Sequence, residues 1–252
     1  MAHIFDTHAH YTSEQFDPDR ENILDNLQSQ NVSGVIECGT DYTESIKCIA
    51  LAERYNFIYA AVGLHPECTD DATEDEIEKL ESLLTNKKVV AIGEIGLDYH
   101  WETERDRQKE MFIAQLEMAK RHNLPVILHD REAHEDMQAI IKNYDIKKIM
   151  HCYSGSAEMA RQLLESDIHF GFGGALTFKN AKKAVCAAEL IPLSRILLET
   201  DCPYMTPVPF RGTRNNSALI ANVAEVLANI KGVSVERVLE ITEQNAREVF
   251  GI

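Results

Sequence analysis

Apolar residues along this chain follow two alternating rhythms. Short runs rich in Ile and Val give way to longer stretches in which apolar positions recur every three or four residues. The first rhythm is that of strands buried on both faces, the second that of helices with one buried stripe. Eight runs read as strands: HIFDTHAH (3–10), VSGVIECG (32–39), FIYAAVGLH (57–65), KVVAIGEIGL (88–97), LPVILHD (124–130), KKIMHCYS (147–154), IHFGFGG (168–174) and SRILLETD (194–201). Between them, DPDRENILDNLQSQN places Ile23, Leu24 and Leu27 at helical spacing, and TEDEIEKLESLL repeats apolar residues at 77, 80, 83 and 84. TERDRQKEMFIAQLEMAKRHN carries acidic residues early and basic ones late, which suits the helix macrodipole. Two helices, about 215–230 and 234–249, close the chain, the second with Ser234 as its N-cap and Glu236 and Arg237 exposed.

Strands alternating with helices predict a parallel sheet, and eight such units in 252 residues suit a closed (β/α)8 TIM barrel. An open doubly wound sheet is the structural alternative, but no glycine-rich phosphate loop follows the first strand. No repeat, low-complexity tract or linker divides the chain, so residues 1–252 are expected to form a single domain.

The barrel changes the meaning of the polar residues that end the apolar runs. The first run ends in His8 and His10, the third in His65, the fourth in Glu94, the fifth in His129, the sixth in His151 and the eighth in Asp201. The C-terminal ends of barrel strands converge on one mouth, so these side chains are expected to meet. Imidazoles and carboxylates are ligands of zinc, manganese and related divalent ions. Two ions about 4 Å apart, bridged by a carboxylate such as Glu94, form a clamp for hydrolysis by activated water. Asp201 is the candidate to orient or deprotonate that water. Asp6 shares strand parity with His8 and His10 and is expected to orient them. Glu199 is expected to support a ligating histidine. His65 is expected to touch a phosphate, a water or an outer ion. His3, His100, His122, His134 and His169 are read as ordinary histidines.

The net charge of −16 disfavours a broad nucleic-acid-binding surface, although a metal pair makes its own local positive field. Six cysteines without CxxC spacing read as buried reduced thiols. No run is long enough to span a bilayer and no secretion signal is visible, so a cytoplasmic protein without membrane or obligate protein partner is expected.

The motifs together resemble the TatD family of metal-dependent deoxyribonucleases, within the amidohydrolase-like TIM barrels. The resemblance spans the chain: FDTHAH, GLHP, GEIGLDY, LPVILHDREAHED and LIPLSRILLETDCPY each match a family segment. It implies metal ligation by His8, His10, Glu94, His129, His151 and Asp201, with Glu94 as bridge and Asp201 and Glu94 in catalysis. It also implies contacts from His65 and Arg131 to the substrate or an outer metal. Two divalent ions (magnesium, manganese or zinc), with a third in prospect, would serve a 3′–5′ exonuclease. Single-stranded DNA or frayed ends are the implied substrate. Arg131, Lys179, Arg211 and Arg214 are candidates to hold phosphates, and Tyr99, Trp101 and Tyr204 to stack on bases. One departure stands out. Where the family often reads R-G-x-x-N-E-P, this chain has RGTRNNS from Arg211, with Asn216 and Ser217 in place of the acidic residue and proline. The same scaffold also suits an ester, amide or aminoacyl-tRNA hydrolase. A non-catalytic metal-binding protein is the third reading.

Overall fold

The protein, described here from a computed structural model covering residues 2–70 and 72–252, has all eight anticipated strands. They are β1 (Ile4–Ala9), β2 (Val32–Cys38), β3 (Ile58–Val62), β4 (Val89–Asp98), β5 (Val126–Arg131), β6 (Lys148–Met150), β7 (Ile168–Phe172) and β8 (Ile196–Leu198). Each pairs in parallel with the next, in the order β1 to β8. The surrounding helices are α1 (Arg20–Leu27), α2 (Tyr42–Arg54), α3 (Glu74–Leu83), α4 (Arg105–His122), α5 (His134–Ile141), α6 (Ala157–Leu163), α7 (Lys182–Leu190), α8 (Ile220–Lys231) and α9 (Val235–Phe250). The result is a (β/α)8 TIM barrel.

The anticipated helices form, and Ser234 caps α9 by accepting from the Arg237 N–H. Helix α2 is not marked by the apolar pattern. Its inward stripe is Ser45, Cys48, Ile49 and Ala52, in which Ile49 is the one large apolar side chain, so the helical signal is weak, and Asp41 caps it. Among the described residues no single helix is long and apolar enough to cross a membrane.

The barrel interior is filled by Phe5, Ile36, Ala61, Ala91, Ile127, Ile149 and Leu197, one from each strand but β7. Ala246, Val249 and Phe250 of α9 join this cluster and plug one end. At β7 the inward position is Gly171, where a Cβ would lie 2.1 Å from a Glu199 carboxylate oxygen. The missing side chain is the space Glu199 occupies.

Four register shifts interrupt the ladders, and two of them decide what faces the barrel mouth. In β1, Asp6 pairs with Val35 and Ala9 with Glu37; in β4, Ile92 pairs with Val126 and Ile95 with Leu128. Each is a bulge, three steps against two, and a bulge reverses which parity faces inward. Beyond it, His8, His10 and Glu94 turn into the barrel.

The β1–β8 seam closes with few ladder contacts. Asp201 N–H donates to His8 O (2.9 Å), His10 N–H to Cys202 O (2.9 Å) and Thr7 Oγ1 to Leu198 O (3.2 Å). Asp6 supplies the rest. It is fully buried and accepts from Thr200 N–H (2.9 Å), Thr200 Oγ1 (2.7 Å), Ser217 Oγ (2.7 Å) and His8 N–H (3.3 Å). The expectation that Asp6 faces the same way as His8 and His10 is therefore corrected. The bulge puts it on the opposite face, where it binds backbone and hydroxyls rather than imidazoles.

All six cysteines are free thiols, but burial holds only in part: Cys38, Cys48 and Cys202 are buried, whereas Cys68 and Cys186 are exposed.

Candidate metal centre

Regular alternation carries the inward faces of β3, β5, β6 and β8 to His65, His129, His151 and Asp201. The two bulges bring His8, His10 and Glu94 to the same level. Glu94 is the hub. Its Oε2 lies 3.2 Å from His8 Nε2 and 3.7 Å from His10 Nε2. Its Oε1 lies 2.7 Å from His129 Nδ1, 3.0 Å from His151 Nε2 and 3.6 Å from His65 Nε2. One carboxylate oxygen thus serves each histidine group. Asp201 Oδ1 adds to the first group, 3.5 Å from His10 Nε2 and 3.8 Å from His8 Nε2. Its own backbone is left-handed, with φ of 56°. Three overlapping sets have ligand atoms close enough to share an ion: His8, His10 and Asp201; His8, Glu94 and His151; His65, Glu94 and His129.

Hydrogen bonds behind the imidazoles test whether the donors suit a cation. His10 Nδ1 donates to Cys38 O (2.9 Å), so in its neutral form Nε2 presents a lone pair. His8 Nδ1 faces Cys38 Sγ (3.5 Å). The two Nε2 atoms then point at each other 3.0 Å apart, which is repulsive unless a proton or a metal lies between them. That separation is close to the edge of a coordination shell with metal–nitrogen distances of about 2.0–2.1 Å. The donor set fits a divalent ion.

His65 differs. Its Nδ1 accepts from the Glu67 N–H (3.2 Å), so neutral His65 carries its proton on Nε2. Its spacing would allow a shared ion with Glu94 and His129, but this tautomer makes it a hydrogen-bond donor toward the site. Arg131, the last residue of β5, is exposed beside Trp101, its guanidinium 5.7 Å from the indole ring.

Two supporting residues escaped the sequence reading. Asp98, buried at the last position of β4, accepts from His129 Nε2 (2.9 Å) and turns Nδ1 toward Glu94. It escaped because the apolar run stops at Leu97, one residue short of the strand. Cys38 reaches both β1 histidines, one through its carbonyl and one through its thiol; its signal was its position at the end of β2. Glu199 lies behind His151 as expected, with its Oε1 3.7 Å from Nδ1.

Other expectations are corrected by local pairing. Tyr99 is committed to its loop: its hydroxyl donates to Asp136 (2.6 Å) and Arg105 covers its ring. Arg214 is held by both Asp19 oxygens (2.6 and 2.7 Å) and stacks on Phe16, so it is no free phosphate ligand. Arg211 lies over Phe178, 3.9 Å from its ring centre. His100, His122 and His134, by contrast, behave as the ordinary histidines expected, pairing with Glu132, Glu81 and Asp130 outside the cluster. In the departing segment, Asn216 caps a short turn and Ser217 joins the Asp6 network, so no acidic side chain reaches the site from there.

The ionisation pattern is that of a site where protons stand in for cations. Burial pushes Glu94 up, but His151, His8 and His65 outweigh it and hold its carboxyl well below the usual range. Burial lowers His8, assisted by His151. For His10, burial is outweighed by Asp201, Glu94 and Glu37, which carry it up to about 9; for His129, by Asp98 and Glu94, also to about 9. Raised folded-state values mean that these two groups stabilise the metal-free fold fully below their ordinary value of 6.5 and cease to do so as pH climbs through about 9. Chelator-treated protein is therefore expected to lose thermal stability between those limits. Metal-loaded protein should not show that loss, because bound metal has already displaced the protons. Parallel melting curves across this range check it.

The chain is similar to known proteins along nearly its whole length. The family model for TatD-related DNase matches residues 5–251. The metal-dependent hydrolase YabD of Bacillus subtilis is 43% identical over 253 residues, covering 99% of each chain. The 3′-5′ ssDNA/RNA exonuclease TatD of Pantoea ananatis is 33% identical over 261 residues, covering 99% of this chain and 100% of that one. Among solved structures, the TatD homologue YjjV of Escherichia coli superposes with a TM-score of 0.94 at 32% identity, covering 99% of this chain and 98% of that one.

Proposed function

The chain belongs to the TatD family of metal-dependent hydrolases, and from that footing we propose that it is a two-metal exonuclease. It removes nucleotides from the 3′ end of single-stranded DNA or frayed ends, residues 1–252 acting as one catalytic domain. The observation that carries this reading is the division of Glu94, one oxygen toward His8 and His10 and the other toward His129 and His151. A relative named as a 3′-5′ ssDNA/RNA exonuclease, similar along its whole length, supports the substrate class.

His8, His10 and Asp201 would hold one ion, His129 and His151 the other, and Glu94 both. Bound there, divalent ions supply Lewis acidity toward a phosphodiester and lower the pKa of water. The chain's own groups do the rest. Asp201, fixed by its N–H to His8 O, accepts the proton of the attacking water. His65 donates from Nε2, and Arg131 supplies a cation, to the non-bridging phosphate oxygens. Asp98, Cys38 and Glu199 keep the imidazoles turned inward.

The test is an end-labelled single-stranded oligonucleotide incubated with protein and magnesium, manganese or zinc in turn. Stepwise shortening from the 3′ end is expected, lost with Asp201→Asn. Binding of two ions without shortening under any of the three overturns the reading. Turnover of carboxylic ester, amide or aminoacyl-tRNA substrates instead assigns the scaffold to that chemistry.

A further inference from the structure

A cavity of about 350 Å3 opens beside His10, between the loops that follow β1, β2 and β8. Thr12, Thr40 and Tyr204 are among the residues that line it. Tyr204 is unusual. Its N–H donates to Asp201 O (2.9 Å) and its carbonyl accepts from Asn215 Nδ2 (2.8 Å), so its backbone is fixed at both ends. Yet the residue is 54% exposed. Packing does not explain a large aromatic held rigidly and left open three residues after a candidate ligand. A preordered aromatic face suits stacking on a planar ring.

The charges select what can enter. Glu44 and Lys47, both on the wall, pair with each other at 2.6 Å. Glu14 remains, outside the ion pairs found among the described residues, while His10, the other ionisable group on the wall, is engaged by Glu94 and Asp201 at the metal centre. A cavity with residual negative charge and hydroxyl walls repels a phosphodiester and admits a neutral, hydrogen-bonding group. Arg131 stands on β5, on the far side of the barrel from β1 in the strand order. At the low end of the range of ligand cavities, about 300–1,000 Å3, this one has room for a single ring-bearing unit.

We propose that the cavity receives the terminal nucleoside of the polynucleotide, with Tyr204 against the face of the base and Thr12 and Thr40 available to its polar edge. The scissile phosphate then lies over the metal centre and the remaining backbone runs toward Arg131. The assignment rests on the nuclease reading and adds to it a reason for end-specific cutting: one nucleoside fits beyond the cut, and a continuing phosphate chain is repelled.

The test compares wild type, Tyr204→Ala and Tyr204→Phe, loaded with manganese, on two single-stranded oligonucleotides. One ends in an ordinary nucleotide and the other in an abasic residue. Tyr204→Ala is expected to lower kcat/KM about tenfold on the ordinary end, mostly through KM, while Tyr204→Phe keeps wild-type behaviour. On the abasic end all three proteins should cut alike. Equal loss by Tyr204→Ala on both ends, or none on either, overturns the pocket assignment and leaves the nuclease reading standing. A wild-type protein that shortens neither oligonucleotide with any of the three metals overturns both.

Discussion

Glu94→Gln is expected to lower hydrolysis by at least about a hundredfold to a thousandfold, the scale lost when one preorganised electrostatic group is removed from a site. The change is isosteric, so the loss is not one of shape. Glutamine keeps one acceptor oxygen but puts an NH2 group where the second oxygen stood. If the amide nitrogen faces His8 and His10, that pair loses its shared carboxylate; if it faces His129 and His151, the other pair does. Either way, in the proposed two-metal centre one ion would be left without its bridge. Metal content after dialysis should fall from two ions toward one, and turnover should fall with it. A Glu94→Gln protein that retains two ions and full turnover would remove Glu94 from the centre. The variant also separates binding from folding. Without metal, Glu94 is the carboxylate around which the buried imidazoles gather, and removing one partner of a buried ionic cluster costs about 3–5 kcal/mol. The metal-free variant should therefore melt well below metal-free wild type.

Asp6→Ala is expected to cost about 3–5 kcal/mol, because two buried N–H groups, of Thr200 and His8, lose their acceptor at roughly 1–3 kcal/mol each and a cavity opens beside them. Asp6→Asn should stay within about 1 kcal/mol of wild type at neutral pH. Its amide oxygen can take over the two backbone donors, while its NH2 faces the hydroxyls of Thr200 and Ser217, which can turn to accept. The acid itself is already close to neutral: burial raises it to about 7, although four hydrogen bonds pull the other way. The sign follows. A raised value means that its contribution is complete below 3.8 and fades as pH rises through about 7. Relative to wild type, Asp6→Asn should therefore gain stability as pH rises through that range. Urea unfolding at several pH values, with an unchanged m-value, measures both effects. Equal destabilisation by Ala and Asn would show that the carboxylate charge, not its hydrogen bonds, holds the seam.

Asp6 also shows where sequence reading stops. FDTHAH places Asp6, His8 and His10 at one parity, and a regular strand would aim all three the same way. The extra residue in β1 breaks that parity: the histidines enter the barrel and Asp6 leaves it to clamp Thr200 and Ser217. Glu94 is the converse case. Simple alternation from inward Ala91 points it outward, and the bulge before Ile95 turns it in. A bulge is one residue in the pairing of two strands, so it leaves little mark in the composition of either.

The sequence by itself determined the eight strands, the closed parallel barrel they imply, and which imidazoles and carboxylates end the strands. Those features follow from local patterns, because apolar periodicity and strand length are properties of a single segment. Only the tertiary structure decided which partner each polar group meets. Arg214 is neutralised by Asp19, 195 residues away, His129 is aimed by Asp98, and His8 and His10 both lean on Cys38. Those choices depend on strand register and barrel closure, where a shift of one residue reverses a face and a distant charge changes what a side chain can do.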